Sequence, residues 1–233
     1  MRRPLLLLGL VLVVAAEAQA PPPWALAAED LATQRLFRLH YDGPEGEGSF
    51  RLTLRLLAAD RYRATAVDAV GRLVWSLSVE GEEGLWLDHR QERFCRFRGR
   101  LAPEVLALSP FGLPSLPALL LGRMPVAPAG TIEPPEEGKE DRLDYLDTEG
   151  RRWTALLSPE GGVASWTLWQ EGEPVVWWSR QGEEALLSER RRAAQLRWRE
   201  VLREAIAPEL APLTPPATFR EGCETASDPA QVP

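Results

Sequence analysis

Phe50-Arg51-Leu52-Thr53-Leu54-Arg55-Leu56 alternates apolar and polar side chains at every step. Only an extended chain sorts such residues onto two faces, so this run is a strand with one dry face and one wet face. Its neighbours Phe37–Tyr41, Arg61–Val67, Leu73–Val79, Leu85–Asp88 and Arg93–Phe97 read the same way. Turn-forming stretches divide them: Asp42-Gly43-Pro44-Glu45-Gly46, the surroundings of Gly71, and Gly81 to Gly84. Short strands at this spacing predict an antiparallel meander. A second series follows, Arg142–Leu146, Trp153–Leu157, Val163–Gln170 and Val175–Arg180, with turns at Glu149-Gly150, Glu160-Gly161-Gly162 and Glu171-Gly172. The tryptophans fall mostly on these strands, where large aromatics fill cores.

Between the two series lies SPFGLPSLPALLLGRMP, Ser109 to Pro125, with seven large apolar side chains, four prolines and no acidic residue. A loop needs polar residues to keep its backbone solvated, and a core helix does not carry this many prolines. Leu101–Leu108 and Leu116–Leu121 are expected to form short helical pieces of an insert over 101–125, with the prolines setting their ends. A linker rich in Pro, Glu and Gly runs from Pro128 to Lys139. Pro21–Arg35 reads as an amphipathic helix, with Trp24, Leu26, Ala27 and Leu31 opposite Glu29 and Asp30. From Glu183 to Ile206 the composition favours helix, while Gln195–Val201 alternates; a strand through Val201 is expected, and a helix stays open. The expected organisation is residues 1–20 as a signal peptide, one domain over 21–207, and a proline-rich tail over 208–233 lying on the surface.

Hydrophobic residues make up 45% of the 233, enough to bury a core. Net charge is −7 and Lys139 is the single lysine, which argues against nucleic acid as the main partner, since phosphate binding needs clustered positive charge. The opening MRRPLLLLGLVLVVAAEAQA has two arginines, an apolar run and a small-x-small end, the pattern of a secretory signal cut after Ala20. No cysteine stands near that cut to take a lipid, so an exported, soluble protein is expected, and a monomer. In an oxidising compartment Cys95 and Cys223 are expected to pair, although two separate thiols remain the alternative. Closing a loop of more than ~120 residues, such a bridge contributes about 4–5 kcal/mol in the entropy model. The only histidines are His40 and His89, and no nucleophile elbow, metal-binding helix or phosphate loop is present. Asp88, His89 and Cys95 match no zinc spacing; a turn over Asp88–Gln91 accounts for the first two. No catalytic set, metal or cofactor is expected.

A strongly curved antiparallel sheet with a dry inner face encloses an apolar concavity. If strand side chains do not fill it, a helix, a lipid or both must. Leu113, Leu116, Leu119, Leu120 and Leu121 supply a candidate plug that can move in short rigid pieces; permanent core is the other possibility. The expected class is mainly β with a helical lid, an incomplete barrel around an apolar cavity.

Several stretches resemble the LolA/LolB superfamily of periplasmic lipoprotein carriers and outer-membrane lipoprotein receptors. They are the exported start leading to Phe37, the turn Val67-Asp68-Ala69-Val70-Gly71-Arg72-Leu73, the segment Leu116-Pro117-Ala118-Leu119-Leu120-Leu121-Gly122-Arg123-Met124-Pro125, and the closing Pro-Pro-Ala-Thr-Phe219. The resemblance implies an unclosed antiparallel barrel, helices across its mouth, and a cavity for acyl chains of lipids or lipoproteins, with no cofactor and transient outer-membrane contact. It implies lid anchoring by Arg63, or Arg61 second, and membrane contact by Val70 in an interstrand loop. The receptor's lipid-attachment cysteine is absent, and the cysteine pair and Arg190-Arg191-Arg192 are not hallmarks of the group. Two other functions stay open: a non-catalytic envelope assembly or interaction protein on the same scaffold, and an enzyme, for which no residue is a candidate.

Overall fold

The computed structural model describes residues 25–44, 46–98, 115–125, 130–133, 141–159, 162–191, 193–207 and 209–222. The first meander contains β1 (Thr33–Gly43), β2 (Gly46–Ala58), β3 (Arg61–Asp68), β4 (Leu73–Glu80), β5 (Glu83–Asp88) and β6 (Arg93–Arg98). A short helix, α1 (Ser115–Leu120), precedes the second. That meander runs β7 (Thr131–Glu133), β8 (Arg142–Leu146), β9 (Arg152–Leu157), β10 (Val163–Gln170), β11 (Glu173–Gln181), β12 (Glu184–Glu189) and β13 (Ala194–Ala205). A last two-residue strand, β14 (Arg220–Glu221), lies parallel to β6.

Within each meander the strands pair in sequence order, and the two meanders join where β1 meets β13, in antiparallel register from Thr33↔Ala205 to Asp42↔Gln195. The resulting sheet has 14 strands among the described residues, with β14 at one edge and β7 at the other, so it is not closed into a barrel. Alternation decides its faces. Phe37 and Leu39, then Leu52 and Leu54, Tyr62 and Ala64, Leu77 and Val79, all point the same way and are buried. One apolar cluster collects these residues together with Trp153, Trp166, Trp178, Leu187 and Trp198 from the second meander. A single sheet can bring its two halves against one core only by curling round it, with the inner face dry.

Two expectations changed. The described part of Pro21–Arg35 holds one 3-10 turn, Ala28–Asp30, and Thr33 onward is strand. Here pairing on both sides, with β2 and β13, outweighs the local preference for helix. In the ambiguous stretch, two strands stand in place of one. Glu184–Glu189 has helix-forming composition, yet Ala185 and Leu187 reach the core at strand spacing between β11 and β13. Residues 1–20, the expected signal, and 101–114, the first part of the insert, lie outside the described residues.

Candidate functional site

The concave face of the second meander is floored by indoles. Trp153 and Trp166 are tilted at 5.5 Å between centroids, and Trp166 and Trp178 are stacked at 6.3 Å. All three are buried. Trp153 is aimed by Asp147, which accepts its Nε1–H at 2.9 Å and the Arg151 guanidinium at 2.7 Å. Burial pushes the Asp147 carboxyl up, but the hydrogen bonds from Trp153 and Arg151 together outweigh it and hold the group below its ordinary value.

α1 lies on this floor. Leu116, Leu119 and Leu120 occupy one helical face at i, i+3 and i+4 spacing, and all three are buried, as is Met124 beyond the helix. Pro117 is tolerated because N–H groups of a first turn have no helical partner anyway. The helix ends in a Schellman arrangement: Arg123 N–H donates to Ala118 O at 2.7 Å and Gly122 N–H to Leu119 O at 3.1 Å. Gly122 has φ +73°, and a Cβ there would stand 2.8 Å from the Trp178 ring. Glycine is needed both for the left-handed turn and for the close approach.

Polar contacts tie α1 down at its C-terminal end. Trp198 Nε1–H donates to Leu120 O at 3.0 Å, both buried. Just beyond, the Arg123 guanidinium approaches Asp30 at 3.9 Å. Asp30 also receives Arg35 at 2.6 Å, and Arg35 reaches on to Glu200 at 2.7 Å. Arg35 is placed by parity: it shares the inward register with Thr33, Phe37 and Leu39, so a cation sits in a row of buried side chains. Such a group demands paired carboxylates, and the 3-10 turn and β13 supply them. A small cavity of about 360 Å³ opens beside α1, floored by Phe37, Leu120, Ala185 and Trp198 and rimmed by Arg180 and Arg203.

The residues expected to act fall in several places. Leu116, Leu119 and Leu120 lie together in the core and Leu121 is half-buried at its edge; Leu113 is outside the described residues. Arg63 differs from expectation. Its neighbours Tyr62 and Ala64 face inward, so Arg63 faces the outer surface, where it donates to Ala211 O of the C-terminal segment. Burial, and then the nearby Arg55 cation, hold its guanidinium below its ordinary value. Arg61 pairs with Glu80 at 3.7 Å, exposed. Among the described residues, α1 is held by Trp198 and, through Arg123, by Asp30. The sequence signal for them was the charged Arg35 at an inward position, visible once strand parity is extended back to Thr33.

Residues 209–222 cross the outer face of the first meander as a strap. After Arg63, the strap packs Phe219 edge-on against His89 at 5.5 Å, and Gly222 N–H donates to Phe94 O at 3.0 Å. His89 also bonds Ser76 at 3.0 Å, and Asp88 accepts the N–H groups of Arg90 and Gln91, which makes this a built turn. Val70 is 75% exposed at the tip between β3 and β4, where Asp68 accepts N–H bonds from Val70 and Arg72 and fixes the loop. Cys95 is buried on β6, next to the residues that pair with β14; Cys223 lies outside the described residues.

No protein-family model matches the chain, and no curated protein sequence matches it. Solved structures do. A LolA superfamily protein from Nitrosomonas europaea superposes with a TM-score of 0.55 at 8% identity, over 78% of this chain and 88% of that one. A domain from Vibrio parahaemolyticus described as an outer membrane lipoprotein-sorting protein gives 0.51 at 8% identity, over 74% and 84%. A DUF1329 family protein from Desulfovibrio piger gives 0.51 at 9%, over 74% and 85%. The fold is LolA-like.

Proposed function

We propose that the chain binds acyl chains, of a lipid or of a lipoprotein, in the concavity that α1 covers, and carries them in the periplasm toward the outer membrane. The observation that supports it is the plug itself. Four apolar side chains, Leu116, Leu119, Leu120 and Met124, are buried against the sheet, yet they belong to a six-residue helix and the turn after it. Burying a side chain of this kind yields about 1.5–3 kcal/mol, so the plug contributes roughly 6–12 kcal/mol. A sixteen-carbon chain in its place would yield roughly 12 kcal/mol at about 0.8 kcal/mol per CH₂. The exchange is close to balanced, which is what loading and hand-off require: an empty concavity of this kind would hold its ligand too tightly to release it.

The remaining parts of the proposal follow from the expected export. Residues 1–20 direct the chain out of the cytoplasm, Cys95 and Cys223 pair in the oxidising compartment, and the Val70 tip makes transient contact with the membrane. Catalysis has no part in it.

Native mass spectrometry of the exported, purified chain tests the proposal. Copurified acyl species, and a fluorescent fatty acid displaced by unlabelled fatty acid, are the expected results. Leu119→Arg and Leu120→Arg weaken the plug that competes with the ligand and should tighten probe binding, with circular dichroism confirming the sheet. No acyl species and no probe binding in a folded protein would make α1 a permanent part of the core, and leave a non-catalytic assembly scaffold as the function.

A further inference from the structure

β13 is longer than its neighbour on one side. It pairs with β1 as far as Ala205, but β12 begins at Glu184, opposite Arg199. From Glu200 onward β13 has no strand beside it on the β12 side among the described residues, and the turn between β11 and β12 borders a notch there. The cavity of about 360 Å³ fills this notch, within the range of small-ligand sites.

Its floor and its rim differ in kind. Phe37, Ala185, Trp198 and Leu120 make an apolar floor that continues into the core under α1. The rim carries guanidinium groups. Arg180 is two residues beyond Trp178 on the same face of β11, and its Nη2 stands 3.3 Å from where a Cβ on Gly122 would be. It makes no hydrogen bond or ion pair among the described residues. Among the described residues, Arg203 has a single contact, to Glu29 O. Of the two rim carboxylates, Glu200 is taken by Arg35 at 2.7 Å. Glu183 is at the exposed turn. The main-chain edge of β13 beyond Arg199, unpaired on that side among the described residues, adds donors. Cations with spare donors, next to an oily floor that leads under a displaceable plug, have the polarity of an amphiphile: charge outside, hydrocarbon within.

We propose that this notch holds the anionic head, a carboxylate or a phosphate, of the molecule whose hydrocarbon part replaces α1. Arg180 binds the head, and Arg203 assists. The assignment rests on the acyl-binding function above and adds to it a chemical class: ligands with a negative charge at the end of the chain, in preference to neutral ones. Arg180 touches both α1's end and the notch, so the head competes for the same guanidinium that lies over Gly122.

Titration of the full chain with hexadecanoate, hexadecanol and inorganic phosphate, followed by tryptophan fluorescence, tests this. Hexadecanoate should bind more tightly than hexadecanol by on the order of tenfold, the effect of a charge-assisted hydrogen bond. Arg180→Gln should remove that difference, with an unchanged urea midpoint showing that the variant is folded; Arg203→Gln should reduce it in part. Inorganic phosphate should displace hexadecanoate only at far higher concentration, because it has no tail. Equal binding of acid and alcohol overturns the head site and leaves acyl binding intact. Phosphate binding as tight as hexadecanoate would make the notch a free-anion site. Failure of both amphiphiles to bind overturns the notch assignment together with the function it rests on.

Discussion

Replacing Arg35 by methionine removes the cation that bridges Asp30 and Glu200 while keeping much of the side chain's volume. The side chains of Arg35 and Asp30 are only 5% and 11% exposed and lie 2.6 Å apart, so the carboxylate left behind cannot recover its hydration. Glu200 is 34% exposed and can turn to water, so its share of the loss is small. Breaking a buried pair in this way costs about 3–5 kcal/mol, chiefly through the stranded charge. Part of that loss is returned here: Arg123 stands at 3.9 Å from Asp30, and Ala27 N–H still donates to it at 3.1 Å. The lower end, about 3 kcal/mol, is the expected loss in urea unfolding followed by tryptophan fluorescence. Asp30→Asn combined with Arg35→Met should be less destabilised than the sum of the single changes, by about 1–3 kcal/mol, since the second change removes the stranded carboxylate. A loss below about 1 kcal/mol for Arg35→Met, or strict additivity in the pair, would refute the claim that this network ties the N-terminal turn to β13.

Gly122→Ala should cost about 2 kcal/mol or more, from a non-glycine residue at positive φ and from crowding against the Trp178 ring, and should change the near-ultraviolet circular dichroism; an unchanged urea midpoint would show that α1 does not end as described. The pH dependence has a defined sign. Asp147 and Asp144 both have folded-state values below their ordinary range, so the stability they contribute is complete above the unfolded carboxylate value near ~4 and is lost as pH falls through the folded values. For Asp144, burial works upward but is outweighed by the Arg142 and Thr154 hydrogen bonds and the Arg142 and Arg152 charges. Asp147→Asn should therefore lower stability at neutral pH and flatten the acid limb of the unfolding curve; an acid limb as steep as that of the unchanged protein would exclude Asp147 from it.

Most strands of this protein are legible without coordinates, because period-two alternation is a local property that a pleated chain imposes within a few residues. Leu52, Leu54 and Leu56 announce a buried face by themselves, and Gly71 and Gly150 mark turns where φ is positive. The leucine-rich helix after Ser115 is legible for the same reason, as is the burial of its apolar face. Where local preference and pairing disagree, composition misleads: Glu184–Glu189 and the start of β1 favour helix in isolation and become strand because neighbours on both sides need partners.

The candidate site divides along the same line. The apolar face of α1 and the dry inner face of the sheet were implied by periodicity, since hydrophobic burial has no direction and needs only the right residues on one face. The polar contacts around α1 have direction and span the chain: Trp198 and Leu120 are 78 residues apart, Arg35 and Glu200 165. Likeness links Arg63 to the lid, while its own described contact is with Ala211 O of the strap. Whether an arginine meets a helix, a carboxylate or a tail is decided by the β1–β13 junction and by the curvature that brings the second meander over the first. No short window of sequence contains that junction.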